Sequence, residues 1–210
     1  MLTSASYDYD STITVFVGAG EKRFTVHRDV ICVKSKFFRA ACSDRWLEGQ
    51  QKIVRLPEAH STKAFQLYVD WTYTNELNLD RTTLEAGDVV NSLVQLHLLG
   101  DVLDDVKLRN KTLRLMTVEV REAKLFLNSE QRHFIWRHTA PNSSIRKWVI
   151  DHFASLADST MMEKFGSTLP ADLVLQTAVM LVARHVKCSK RDRKALEERL
   201  ETYMEADDDA

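Results

Sequence analysis

Only the front of this chain reads with a period of two; everything behind it is interrupted by helical spacing. Ile13, Val15 and Val17 alternate with Thr12, Thr14 and Phe16, and Phe24 and Val26 alternate with Arg23, Thr25 and His27. Alternation puts one apolar face on each strand. Between them Gly18-Ala19-Gly20-Glu21 is a turn cluster, so the two strands read as a β-hairpin. A phosphate-binding loop does not fit: position 23 is Arg where a third Gly would stand, and no Gly-Lys-Ser/Thr follows.

After His27 the period changes. Residues 29–34 suit a short helix, and Ser35 is placed to cap a second one carrying Phe37, Phe38, Ala41 and Cys42. Ile53-Val54-Arg55-Leu56 reads as a third strand stopped by Pro57. Ser61 opens a helix on which Phe65, Tyr68, Val69 and Thr72 share a face, with Leu67 and Trp71 beside it, apolar around much of its circumference. Thr82 and Glu85 suggest a capping box for a helix running to Gly100, with Val90, Leu93, Val94 and His97 on one side; Asp101 would cap the next. From about residue 120 only helical signals remain. One helix holds Phe134, Ile135 and His138 and stops by Pro141; Ser143 caps another with Ile145, Trp148, Val149, His152, Phe153 and Leu156. A third opens at Pro170 and runs through Val186, and Ser189 caps a last one with Leu196, Leu200 and Tyr203. The fold class is α+β in front and all-α behind.

Composition excludes several functions. The 29 Lys and Arg balance 30 Asp and Glu, so no global basic field exists to hold nucleic acid. The basic run from Arg184 to Lys194 is short, lacks interleaved aromatics and is followed by Glu197 to Asp209. No apolar stretch approaches the ~20 residues of a membrane span, and residues 1–10 lack the apolar run of a signal peptide. Cys32, Cys42 and Cys188 are too few and too scattered for a disulfide framework or a metal site, and read as packed, reduced thiols. His133 and His138 have no acidic residue at zinc spacing. No nucleophile elbow, paired carboxylates or Cys-His arrangement converges, so the expectation is no catalytic residue, no cofactor and no metal, in a cytoplasmic or nuclear protein.

The front half carries five ordered motifs. They are Ile13-Thr14-Val15-Phe16-Val17-Gly18, Phe24-Thr25-Val26-His27-Arg28, Ser35-Lys36-Phe37-Phe38, Leu56-Pro57-Glu58 with Phe65-x-x-Tyr68-x-x-Trp71-x-Tyr73-Thr74, and Leu93-x-x-Leu96-x-x-Leu99-x-Asp101-x-Leu103 with Leu108-Arg109-Asn110. In this order they resemble the BTB/POZ domain, and the chain looks closest to fungal BTB proteins with only a helical tail. The resemblance implies a BTB/POZ fold over residues 12–118, after a flexible N-terminus (1–11) and before a helical extension (119–204) and an acidic frayed tail (205–210). It also implies a non-catalytic protein-interaction module whose partners are other proteins.

Two partner classes follow from the resemblance. In BTB adaptors of cullin-RING ubiquitin ligases, a hydrophobic residue, any residue and then Glu follow the capping Ser of the second helix by eleven to thirteen positions. Counted from Ser35, that is Trp46-Leu47-Glu48. An exposed aromatic anchor with an acidic neighbour suits a cullin scaffold, whereas the bland alternative is a Trp packed on its own helix ends. The other class is a homodimer or hetero-oligomeric scaffold, including dimerised transcription regulators with no ligase link. Here the interface would involve Arg28, Val30 and Ile31. The family's acidic partner for the residue after His falls on Thr12, with Asp10 two residues early, so the buried charge pair of such dimers is missing or rewired.

Overall fold

The computed structural model describes residues 7–43, 51–56, 61–79, 82–156, 160, 162–163, 166–185 and 199–205. The chain divides into two compact units, residues 1–80 with 99–108, and 81–98 with 109–210.

In the first unit β1 (Thr12–Val17) and β2 (Lys22–His27) form the expected antiparallel hairpin, pairing Ile13 with Val26 and Val15 with Phe24. Ile13, Val15 and Val17 are buried and the residues between them are not, as alternation requires. The turn closes where the Glu21 amide donates to the Gly18 carbonyl at 2.9 Å, with Gly18 at φ 75°, a conformation that favours glycine. β3 (Ile53–Arg55) pairs parallel to the other edge of β1, giving the order β2-β1-β3.

Between β2 and β3 lie α1 (Arg28–Lys34) and α2 (Lys36–Ala41), and α3 (Thr62–Thr74) follows the sheet. Ser35 joins α1 to α2 and is fully buried. Its hydroxyl oxygen accepts from the Phe38 amide at 3.0 Å, an N-cap, and its proton goes to the Leu103 carbonyl at 2.5 Å. Phe38, Phe65 and Tyr68 are buried in the core, with ring centroids 6.4 Å apart for the first pair and 6.0 Å for the second. Burying such rings removes roughly 150–250 Å² each from water.

Two long helices follow, α4 (Ala86–Val102) and α5 (Val106–Glu122). Three sequence expectations shift here. First, α4 starts at Ala86, and the Glu85 carbonyl takes the amides of Asp88 and Val89. Residues 82–88 are not buried and burial begins at Val89, so an earlier start would remove no apolar surface from water. Second, Gly100 does not stop α4; it is buried inside it. The stop is Asp104, in the left-handed conformation at φ 48°, with the Asp105 amide on the Gly100 carbonyl and the Asp104 amide on that of Asp101, a Schellman arrangement. Third, the cap of α5 is Asp105 rather than Asp101: its Oδ1 accepts from the Leu108 amide at 2.9 Å.

The second unit also holds α6 (Ser129–His138), α7 (Ser144–Leu156) and α8 (Ala171–His185), with short 3₁₀ turns at Gly166–Thr168 and Leu200–Thr202. α6 opens on a reciprocal capping box between Asn128 and Gln131. Ser143 precedes α7 but caps it only through its carbonyl, which accepts from the Lys147 amide; its hydroxyl is buried without a hydrogen bond among the described residues. The stripe Ile145, Trp148, Val149, His152 and Phe153 is buried, as its spacing predicts. α8 packs on α7. Ser189 and Leu196 lie outside the described residues, and around Leu200 the chain takes a 3₁₀ turn where the spacing suggested α-helix.

Candidate interaction surfaces

Trp46, Leu47 and Glu48 lie outside the described residues. The origin of their spacing is described, however: Ser35 is the side-chain cap of α2. Of the three residues expected at a dimer interface, Val30 and Ile31 are 5% and 0% exposed within the protomer, and Arg28 is part-buried. The Arg28 guanidinium donates to the Cys42 carbonyl at 2.8 Å, and its amide to the Ser11 carbonyl at 2.9 Å. The apolar residue that α1 turns outward is Val33, 51% exposed.

The first unit has an exposed aromatic group that spacing did not single out. Tyr9 is 58% and Tyr73 44% exposed, and both ring edges meet His27, at centroid distances of 5.3 and 5.8 Å. The Tyr73 hydroxyl accepts from the His27 amide at 3.1 Å and lies 2.7 Å from His27 Nδ1. The Tyr73 hydroxyl thus ties both the backbone and the ring of His27 to α3. The ring of His27 therefore pairs with the Tyr73 side chain.

In the second unit α8 carries an exposed apolar stripe: Leu175, Val179 and Val182 are each about two-thirds open to solvent, one to two turns apart. Beside it is an open cavity of about 660 Å³, lined by Ile150, Leu175, Val179, Met180 and Tyr203, with the Asp151–Arg199 ion pair (3.0 Å) in its wall. Contiguous exposed apolar surface of this kind marks interaction sites more often than chance contact with water.

Charged groups in this unit are organised structurally. Arg109, nearly buried, grips the Glu205 carboxylate, while Asn110 exchanges two hydrogen bonds with the Glu205 backbone at 2.8 and 2.9 Å. Burial alone would push the Glu205 carboxyl up; hydrogen bonds from Arg109 and Ser144 and the nearby charge outweigh it and hold the group below its ordinary range. His97 is wholly buried, and desolvation lowers it to about 3. The Thr112 hydroxyl, 2.9 Å from His97 Nδ1, spends its own proton on the Arg109 carbonyl, so Nδ1 carries the hydrogen. Sequence reading missed the Arg109–Glu205 grip, because its two residues are 96 positions apart with no local pattern linking them.

Among the described residues no cluster of three or more His, Cys, Asp or Glu could hold a metal ion, and no helix is long and apolar enough to cross a membrane.

Compared with known families, residues 4–99 match the BTB/POZ domain. The three-stranded sheet and the helices after it agree with that fold followed by an all-α extension. BTB/POZ domains are protein–protein interaction and oligomerisation modules and are typically non-catalytic. No curated protein matches the chain.

Proposed function

We propose, from the BTB/POZ domain over residues 4–99, that this chain is a non-catalytic adaptor, cytoplasmic or nuclear, linking a cullin-RING ubiquitin ligase scaffold to a substrate. The observation that supports the scaffold contact is Ser35. It caps α2 with its side chain, so Trp46 and Glu48 stand at the adaptor spacing from a capping residue that is in place. Trp46 would supply the buried anchor and Glu48 the charge that steers approach, with Leu47 between them. In this reading residues 12–118 dock on the scaffold and residues 119–204 receive the substrate, for which the α8 stripe is the available apolar surface.

The test is a pull-down of purified cullin scaffold with the native chain and with a Trp46→Ala, Glu48→Ala double variant of equal thermal stability. Binding by the native chain and a loss of at least tenfold in the variant supports the adaptor role. Equal recovery removes it.

A second reading, self-association without a ligase link, is favoured by the exposed Tyr9, Val33 and Tyr73. Light scattering across a concentration series separates the two. A dimer that Tyr9→Ser with Val33→Ser converts to monomer supports self-association through this face, and a strict monomer at all concentrations rejects it.

A further inference from the structure

We propose that α5, α7 and α8 form a peptide-receiving groove, that residues 199–205 of this chain occupy it in cis, and that its functional occupant is an acidic segment with an aromatic anchor presented by a partner protein. No part of the groove involves the cullin contact, so either can fail without the other. The chain's own segment shows what the groove recognises. Arg199 pairs with Asp151 of α7 at 3.0 Å. Glu201 takes both terminal guanidinium nitrogens of Arg114 on α5, at 2.7 and 3.2 Å. Tyr203 is buried beside the α7 and α8 side chains of the cavity. The Glu205 carboxylate accepts from Arg109 and Ser144, and its backbone is held by Asn110. The pattern is therefore base, acid, ring and acid at every second residue.

This seat is incompletely filled. The open cavity of about 660 Å³ has Ile150, Leu175, Val179 and Met180 in its apolar wall, and the segment meets it with Thr202, a short polar side chain whose hydroxyl is spent on the Arg199 carbonyl at 2.7 Å. Lys147, exposed in the same wall, makes no ion pair among the described residues. A partner segment with a longer apolar side chain at the place of Thr202 would bury surface that the chain's own segment leaves open. An acid reaching Lys147 would add a contact of the sign that Arg109 and Arg114 already select, whereas a basic segment would meet three cations.

Exchange is physically accessible. Most anchors of residues 199–205 are polar, and the Glu201 side chain is 68% exposed, so water and salt weaken its pair with Arg114. Segments held by few apolar contacts open locally at lower free energy than the core. Against this stands the tether: a ligand on the same chain has a high effective concentration, and a free competitor binds only the fraction of molecules whose groove is open. The native chain is thus a closed receptor, and a partner opens it by filling the cavity that the chain's own segment does not.

The probe is a fluorescein-labelled, end-capped peptide Arg-Leu-Glu-Thr-Tyr-Met-Glu, the sequence of residues 199–205, titrated by fluorescence anisotropy with the full-length chain. A Glu201→Gln, Tyr203→Ser variant keeps the groove and loosens its own segment; it should bind the peptide at least tenfold more tightly than the native chain, roughly what the tether takes away. A peptide carrying Thr202→Leu should bind that variant about fivefold tighter still. Arg114→Glu in the groove should weaken the original peptide about fivefold, and a peptide carrying Glu201→Lys should recover most of that loss. A variant with native circular dichroism that binds no peptide, equal affinity in native and variant chains, or indifference to the charge exchange overturns the proposal. If the double variant unfolds, Glu201→Gln alone, which alters an exposed side chain, should gain about threefold, and no gain overturns it equally. A native dimer that the double variant converts to monomer would give the groove to a second copy and overturn its assignment to a partner protein.

Discussion

Arg109 holds the carboxylate of Glu205 through its guanidinium, with Nε at 2.9 Å from Oε1, and Asn110 next to it clamps the backbone of the same residue. Four hydrogen bonds from one turn of α5, two from each of these residues, therefore fasten the C-terminal segment of the second unit. Glu205→Gln should lower unfolding free energy by about 1–3 kcal/mol, measured by urea denaturation; a fully buried pair would lose more, but the Glu205 side chain is 35% exposed. Because the folded carboxyl titrates below its ordinary value, its contribution is complete above pH ~4.5 and is lost as pH falls through the folded value. In the Gln variant that part of the acid sensitivity should vanish.

Histidine burial sets a second, milder acid dependence. His97 is held to about 3 and His152 to about 4, both by desolvation, against an ordinary 6.5. The unfolded chain binds these protons first, so stability should fall as pH drops from 6.5, until each folded value is reached. Thermal melts between pH 7 and 5 should show a falling midpoint. His97→Asn keeps a donor near the Thr112 hydroxyl and should flatten that slope; an unchanged slope in this variant would show that His97 does not titrate as its burial requires.

Asp105 works with both carboxylate oxygens. Oδ1 caps α5 at the Leu108 amide and Oδ2 accepts from the Trp71 indole at 3.1 Å. Asp105→Asn keeps one acceptor oxygen and should cost about 1 kcal/mol; Asp105→Ala loses both and should cost about 2–3 kcal/mol. Equal losses in urea titrations would show that only one of the two contacts matters.

Ser35→Ala should cost about 1–2 kcal/mol, since it removes the α2 cap and leaves the buried Leu103 carbonyl with only the 3.3 Å contact from the Phe37 amide. Ser35→Thr, which retains the hydroxyl, should recover part of that loss if its extra methyl fits, read by the same denaturation series.

These residues also show what was legible in advance. Ser35 stood out because a polar cap before paired phenylalanines is a local signal, and the hairpin stood out because alternation is one. The α4–α5 junction was misplaced because the obvious breaker, Gly100, is spent on burial while an ordinary Asp104 takes the left-handed conformation. The same happens at Asn75 and Lys124, where non-glycine residues end α3 and follow α5 at φ 58° and 52°. Helix ends chosen by tertiary burial leave little trace in local sequence. A contact such as Arg109 with Glu205 is a product of the fold and has no spacing rule to betray it. Trp46 and Glu48 rest on the resemblance and on their spacing from the Ser35 cap, and lie themselves outside the described residues.

The middle strand β1 finds one neighbour across a four-residue turn and the other only after the whole α1–α2 connection. Closing that longer loop of about 35 residues costs more chain entropy than the hairpin does, though the cost grows only with the logarithm of length. The hairpin can zip within microseconds, while the parallel edge waits for the connecting helices to compact. On the ribosome, therefore, this sheet stays half-built until residues near Leu56 have emerged, and early chains carry a β1 edge with no strand yet beside it.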